Sequence, residues 1–326
     1  MKRFLKNTIF FFLLMMLLAE GLDYFFSVNL GRSKTFALGE CDVWNDINKG
    51  RVNADMLVYG SSRAWVHIDP EMLKDSFKVS AYNLGIDGHN FWLQYLRHKE
   101  LLRYNKVPRF IIFSVDIFTL QKQPDLYNAA QFLPFMLFNK DIYDYTSSYK
   151  GYSFFDYSVP LYRYAGKREL IKQAIDFAIH TDTAAPMRVK GYRGQDKSWN
   201  NDFEKAKASM EYYEIKIDSP TVALFNRFLA ECKAKNIEIV FVYTPEYIEG
   251  QRFVKDREKL IALYEGIARR NNIQFLDYSA DSICQQQKYF YNAMHLNREG
   301  AELFTRKLIH DIKARHVFPG LNLNEH

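Results

Sequence analysis

The sequence predicts an α/β fold, a three-layer sandwich in which helices cover both faces of a parallel sheet. Short apolar runs alternate with amphipathic stretches between Asp55 and Asp116 and again from Ser219 to Arg315. This alternation is typical of parallel strands joined by helical crossovers. The first run, Met56 to Tyr59, ends abruptly at Gly60. Functional sites of open α/β sheets lie beyond the carboxyl ends of such strands, so we expect chemistry there.

Composition narrows the class of protein. The chain has 326 residues, enough for one large domain or a domain with an insertion, and 48% of them are hydrophobic. Its net charge of +6 is spread along the chain, so we expect no nucleic-acid partner. Cys41, Cys232 and Cys284 lack metal-ligand spacing. We therefore expect no metal site, no dissociable cofactor and at most one disulfide.

The amino terminus predicts a membrane helix over residues 1–26. Basic residues at Lys2, Arg3 and Lys6 precede an apolar run from Ile9 to Ala19. A helix from Phe4 to 26 would reach about 34 Å, enough to cross a hydrocarbon core of about 30 Å. Basic residues stay in the cytoplasm, which sends the rest of the chain to the periplasm or cell exterior. An uncleaved anchor is favoured over a cleaved signal peptide, and a buried amino-terminal helix is the alternative.

The elements of the first half follow in order. Residues 27–54 are polar and mixed, which predicts a linker and surface segment before the main domain at 55–316. Asp69 and Pro70 begin a helix as cap and first residue. The remaining predictions are strands at Met56–Tyr59, Lys78–Leu84 and Arg109–Val115, and a helix at His89–Tyr104.

The second half of the chain begins with a segment that lacks the alternation of strands and helices. Residues 121–218 are rich in aromatic side chains, which predicts a large insertion over the sheet with one helix at Lys167–Ala178. The alternation then resumes, and residues 317–326 form a loose tail. The later predictions are helices at Ser219–Lys235, Arg252–Asn271 and Asn297–Arg315, and strands at Ile237–Tyr243 and Gln274–Leu276.

Two segments carry candidate catalytic residues. Ser61 and Ser62 follow the first strand, and His295 lies directly before the last helix, at the same edge of the sheet. A histidine there can act as general base for a serine, provided that a third group orients its ring. Asn292, three residues earlier, is close enough along the chain to do so.

The chain resembles the SGNH (GDSL-type) hydrolase and acyltransferase superfamily, because three short segments follow one another in the same order. The segments are Gly60-Ser61-Ser62, Gly85-x-x-Gly88 and Asn292-x-x-His295. The resemblance implies a flavodoxin-like sheet, with Ser62 as nucleophile and His295 as base. It also implies that the backbone N–H groups of Ser62 and Gly88 face the oxyanion. The closest resemblance is to the membrane-anchored extracytoplasmic branch associated with polysaccharide acetylation and D-alanylation.

Two residues depart from the pattern of that superfamily. Asp116 stands near the position where an oxyanion-binding Asn is expected, and an ionised carboxylate would repel an oxyanion. Asn292 replaces the usual Asp, so it can orient the imidazole but cannot compensate an imidazolium charge. Either Asp277 or Asp281 supplies the missing carboxylate, or Asn292 suffices, or the site is slow or inactive.

The expected function is that of a serine-dependent O-acyl esterase or acyltransferase. Its expected substrate is a cell-surface or exported glycan, or an acylated small molecule. A polytopic membrane acyltransferase is a further expected partner. The alternative is a catalytically impaired protein that keeps the fold and binds glycan or such an acyltransferase. A nucleotide-binding or receiver domain is disfavoured, because Gly85-x-x-Gly88 is too sparse for a phosphate loop.

Overall fold

The computed structural model describes residues 1–88, 90–180 and 184–321 of the chain. His89, the predicted start of one helix, and the last five residues of the predicted tail lie outside the described residues. The helices are α1 (Lys2–Arg32), α2 (Glu40–Asn48), α3 (Ser62–His67), α4 (Pro70–Phe77), α5 (Phe91–Tyr104), α6 (Lys140–Thr146), α7 (Phe154–Ser158), α8 (Arg168–Ile179), α9 (Asp202–Ser209), α10 (Ser219–Ala234), α11 (Ile248–Arg252), α12 (Arg257–Arg270) and α13 (Arg298–Ala314).

The strands form a five-stranded parallel sheet and two small pairs. In the sheet the spatial order is β2-β1-β3-β5-β7, with Met56 beside Ala81 on one side and Phe110 on the other. Counting only these five strands, the order is 2-1-3-4-5, the flavodoxin-like arrangement. The strands are β1 (Met56–Gly60), β2 (Ala81–Asn83), β3 (Phe110–Val115), β4 (Tyr213–Glu214), β5 (Glu238–Tyr243), β6 (Val254–Lys255), β7 (Gln274–Asp277), β8 (Phe290–Asn292) and β9 (His295–Leu296).

Helices cover both faces of the sheet, as the alternation of side chains along each strand requires. On one face, Met56 and Val58 pack with residues of α4 and α13 such as Leu73 and Phe304. On the other face, Tyr59 of β1 contacts the ring of Phe228 on α10. The predicted three-layer α/β fold with a parallel sheet is therefore confirmed.

The chain divides into two compact units. The first comprises residues 1–46 and 124–187, and the second, which contains the sheet, comprises residues 47–123 and 188–326. The predicted linker at 27–54 includes α2, in which Cys41 and Trp44 are buried. The predicted insertion at 121–218 is shared between the units, because the chain from Arg188 onward belongs to the second.

Within the first unit, α1 has two different parts. Among the described residues it is the one helix long and apolar enough to cross a membrane, and most of its apolar stretch is exposed. Near its carboxyl end, α1 contains buried residues that pack against other parts of the first unit. Asp23 is buried and its carboxylate accepts hydrogen bonds from Arg163 Nη2 at 2.6 Å and Leu161 N at 2.8 Å. A buried carboxylate needs such partners.

The helix predicted at Arg252–Asn271 begins later than expected. Val254 and Lys255 instead pair as β6 with β4, which the sequence analysis did not predict. Asp256, the next residue, has φ 53° and turns the chain into α12. Strands of two residues leave too short a pattern to detect from the sequence.

Candidate active site

The turn after β1 places two serines at the carboxyl edge of the sheet. Gly60 has φ 141°, and a Cβ there would lie 2.6 Å from the carbonyl oxygen of Ser114. Only glycine fits this turn. Ser61 is buried and caps α3, accepting a hydrogen bond from Arg63 N at 3.3 Å. Ser62, the first residue of α3, is partly exposed. The edge lies between β1 and β3, the point where the strand order reverses.

The structure brings together Ser62, His295 and Asn292, the three residues predicted to form the catalytic site. Ser62 Oγ lies 2.8 Å from His295 Nε2, and His295 Nδ1 lies 3.0 Å from Asn292 Oδ1. An amide oxygen only accepts, so Nδ1 carries the proton and donates it to Asn292. The free lone pair is then on Nε2, where it accepts the hydroxyl proton of Ser62. This is the tautomer that a general base requires.

Two further contacts hold the amide of Asn292 in this orientation. Asn292 Oδ1 also accepts hydrogen bonds from the backbone N–H groups of Met294 at 3.1 Å and His295 at 3.0 Å. On the other side, Asn292 Nδ2 donates to a carboxylate oxygen of Asp202 at 3.4 Å. With donors on one side and an acceptor on the other, Oδ1 must face the imidazole.

Asp202 is one residue of this site that the sequence analysis missed. It begins α9, and its carboxylate also accepts a hydrogen bond from Asn200 Nδ2 at 2.7 Å. The two aspartates suggested from the sequence have other partners. Asp277 accepts from Ser279 N at 2.9 Å, and Asp281 forms an ion pair with Lys307 at 2.6 Å.

The surroundings of His295 keep its ring neutral. The ring of Tyr291 stacks on it with centroids 5.3 Å apart and planes 9° apart. Burial, the guanidinium of Arg63 and the ammonium of Lys197 lower the pKa of His295 to about 3, while the carboxylate of Asp202 acts in the opposite direction. Desolvation and nearby cations both disfavour the imidazolium. At neutral pH the histidine is therefore a free base.

A second histidine, His67, connects α3, which carries Ser62, to β9, which carries His295. His67 Nε2 accepts the backbone N–H of Leu296, next to His295, at 3.0 Å. Its other ring nitrogen therefore carries the proton and lies 2.8 Å from Thr244 Oγ1. Burial and the charge of Arg63 hold the pKa of His67 well below its usual value. We conclude that neutral His67 fixes the distance between α3 and β9.

A buried ion pair lies beside this histidine. Arg63 and Glu246 are 1% and 3% exposed, and their charged atoms are 2.5 Å apart. Tyr243 Oη donates to the second oxygen of Glu246 at 3.0 Å, and Arg257 approaches the same oxygen at 3.4 Å. Because both charges are compensated, Arg63 can lie next to Ser62 in the chain without an unpaired buried charge.

Asp116 and Gly88, the two residues considered at the oxyanion site besides Ser62, occupy different kinds of position. Asp116 is fully buried, and its carboxylate accepts hydrogen bonds from Ser61 Oγ, from Phe118 N at 2.8 Å and from Thr119 N at 2.9 Å. The contacts of Asp116 are thus with Ser61 and its own loop. Gly88 lies in the loop after β2 with φ 67°.

An apolar cavity of about 190 Å³ lies beside the histidine loop in the second unit. Its polar lining residues are His295, Asn292, Asp202, Tyr213 and Glu246. The rest of the wall is mostly apolar and comes from α9, the loop after β3 and the chain around β6. Its apolar side chains are Ile117, Phe118, Phe203, Ala206, Met210, Phe253, Val254, Ala293 and Met294.

Within the described ranges, no three His, Cys, Asp or Glu side chains form a group that could hold a metal ion. Cys41, Cys232 and Cys284 are buried and form no disulfide.

The chain was also compared with known proteins. No protein-family model matches it, and no curated protein does. Among solved structures, it is similar to a protein described as lipolytic and of the G-D-S-L family from Desulfitobacterium hafniense, at 10% identity and TM-score 0.36, covering 78% of this chain and 98% of the other.

Two structures from Bacteroides species are also similar. One, from Bacteroides fragilis, is described as an acylhydrolase and has 13% identity and TM-score 0.32, with 79% of this chain and 87% of the other covered. The other, a GDSL-like lipase from Bacteroides thetaiotaomicron, has 13% identity and TM-score 0.33, with 79% and 88% covered. The chemistry of the site is therefore inferred from its own geometry.

Proposed function

We propose that the protein is a serine-dependent O-acyl esterase or acyltransferase of the SGNH type. One observation carries this proposal: the continuous hydrogen-bonded series from Ser62 Oγ through His295 to Asn292, with heavy-atom distances of 2.8 and 3.0 Å. These are the distances over which a base takes a hydroxyl proton. The pairing joins residues 233 positions apart in the chain, at the switch point of the sheet.

The reaction proceeds in two halves. Ser62 Oγ attacks the ester carbonyl carbon while its proton passes to His295 Nε2. The tetrahedral intermediate collapses, the bond to the alcohol breaks, and the alcohol takes the proton from Nε2. Water or an acceptor hydroxyl then loses its proton to Nε2 and attacks the acyl-Ser62 ester. Collapse of the second intermediate returns that proton to Ser62.

Asn292 and Asp202 share the task that a single carboxylate performs in many serine enzymes. The Asn292 amide keeps the proton of His295 on Nδ1. The Asp202 carboxylate, one hydrogen bond further away, supplies the negative charge that stabilises the imidazolium formed in each half-reaction. The oxyanion is bound by the backbone N–H groups of Ser62 and Gly88, and Asp116 acts by holding Ser61.

The acceptor and location follow from features outside the catalytic residues. A concavity of about 640 Å³ in the second unit includes Lys197, Trp199 and Asn297, polar and aromatic side chains suited to a hydroxyl-rich glycan. Helix α1 anchors the protein, with the second unit on the extracytoplasmic side. A polytopic membrane acyltransferase is the proposed protein partner where the reaction is a transfer.

The test is hydrolysis of p-nitrophenyl acetate by the full-length protein in nanodiscs. We expect Ser62→Ala and His295→Ala each to lower kcat by at least about 10³-fold, because the two residues act as a unit. Ser158→Ala, in the first unit, is the matched control and keeps full activity. A folded wild-type protein that neither hydrolyses the ester nor transfers its acyl group to added oligosaccharides would instead support a non-catalytic, glycan-binding role.

A further inference from the structure

We infer that the apolar cavity beside His295 binds the acyl chain and selects chains of medium length. This inference rests on the proposed function and goes beyond it, since it names the acyl group. His295 and Asn292 line the cavity, and most of the rest of its lining is apolar. An ester bound at His295 could thus extend its hydrocarbon chain away from water.

The size of the cavity sets the chain length. An apolar cavity of about 150 Å³ is known to hold a benzene ring, which has six carbons. The present cavity of about 190 Å³ therefore fits a chain of about six to eight carbons. An acetyl group would leave most of it unfilled, and unfilled apolar surface contributes no binding.

Helix α9 provides a way to fill the cavity without touching the catalytic residues. Ala206 lines the cavity, whereas Ala208 on the same helix is exposed. Ala206→Phe should occupy the space of the chain, and Ala208→Phe is the matched control.

The experiment measures kcat/KM for p-nitrophenyl acetate, butyrate, hexanoate and octanoate. We expect wild type and Ala208→Phe to prefer hexanoate or octanoate over acetate by about tenfold or more, and Ala206→Phe to lose this preference while still cleaving acetate. Equal rates for all chain lengths, with cleavage of acetate intact, would overturn the inference and leave the proposed function standing. Absence of both cleavage and acyl transfer to added oligosaccharides with every ester would overturn both.

A separate observation in the first unit concerns the membrane. We propose that a cluster of four exposed aromatic side chains, Tyr143, Phe154, Phe155 and Tyr162, lies in the lipid headgroup region of the bilayer. Their exposed fractions range from 37% to 63%. Their rings are in contact in series, with centroids 6.3, 6.0 and 5.4 Å apart. A contiguous exposed apolar patch of this kind marks an interaction surface.

The position of this aromatic cluster indicates lipid as its partner. Tyr162 lies between Leu161 and Arg163 in the chain, and both of these bind the carboxylate of Asp23 in α1. Asp23 is the first buried residue of α1, and the apolar turns before it are exposed. The cluster is thus fixed at the level at which α1 leaves the bilayer, where Tyr and other aromatic side chains concentrate.

Helix α8 supports the same assignment. It packs against α1, and of its side chains only Ala174 is buried. Ile175 and Ile179 are 40% and 68% exposed. An amphipathic helix beside an anchor, with apolar side chains exposed, is suited to lie in the interface.

The test uses full-length protein carrying a fluorophore at Phe155→Cys or, as a reference, at Leu14→Cys in the exposed part of α1. The native thiols are buried. In phosphatidylcholine vesicles, we expect lipids spin-labelled at the headgroup to quench the label at Phe155→Cys, and lipids brominated in the acyl chains to quench the label at Leu14→Cys, each relative to vesicles without quencher. Quenching at Leu14 without quenching at Phe155 would overturn the proposal for the cluster. Quenching at neither position would overturn the anchor as well.

Discussion

The carboxylate of Asp202 accepts a hydrogen bond from the side-chain amide of Asn292 at 3.4 Å. This contact places a negative charge behind an uncharged residue that by itself cannot balance an imidazolium. The first prediction follows from it. Asp202→Asn should lower kcat by about tenfold, because the carboxylate of Asp202 opposes the lowering of the pKa of His295. Glu204→Gln, on the same helix, should leave kcat unchanged.

The roles of the two side chains should be exchangeable. Asn292→Asp alone places two carboxylates side by side and removes the amide donor, so one carboxyl group takes up a proton and the gain in activity is small. Adding Asp202→Asn restores a donor facing the new carboxylate. We expect the double variant to exceed Asn292→Asp by about tenfold in kcat, a coupling that a double-mutant cycle measures directly. Strictly additive effects would show that the two side chains do not cooperate.

The dependence of activity on pH should reflect the low pKa of the base. Since the pKa of His295 is lowered to about 3, its ring stays neutral as the pH falls through 6.5, the usual value. We therefore expect kcat/KM to remain level between pH 7 and 5 and to decline only as the pH approaches about 4, because the free enzyme loses its base only on protonation. A half-maximal value near pH 6.5 would contradict the assigned environment of His295.

Asp116 should matter for stability through the turn that carries Ser61. Asp116→Ala removes the acceptor of Ser61 Oγ, Phe118 N and Thr119 N. Hydrogen bonds to charged groups contribute about 1.5–3 kcal/mol, so we expect the free energy of unfolding in urea to fall by about 2–3 kcal/mol. Asp277→Ala is the comparison, since Asp277 is exposed and accepts one local bond from Ser279. An equal loss in both variants would argue against a stabilising role of the hydrogen bonds that Asp116 accepts.

Much of the second unit could be predicted from the sequence, because its signals are local. Apolar runs such as Phe110–Val115 mark buried strands, and the pair Asp69 and Pro70 marks the start of α4. The short run at β2 was predicted too long, since only Ala81–Asn83 pairs with β1. Ser62 and His295 were proposed because each lies next to a predicted element, and Asn292 because it lies three residues before His295.

Asp202 and His67 could not be found in this way. Asp202 lies 90 residues before Asn292, in a polar stretch where nothing distinguishes it from other acidic residues. His67 lies within α3, and its contact with Leu296 spans 229 residues. Such partners are set by the packing of distant elements, and a sequence pattern reports only neighbours within a few turns or strands.

The most direct measurement of the central claim is the site of covalent modification by a fluorophosphonate. The full-length protein is incubated with the probe, digested, and mapped by mass spectrometry. We predict one adduct, on Ser62 rather than Ser61, formed in wild type and absent in His295→Ala, because only a serine whose proton is accepted by a base reacts at a useful rate. A well-folded protein that remains unlabelled, or that is labelled on another serine, would contradict the assignment of Ser62 as the nucleophile.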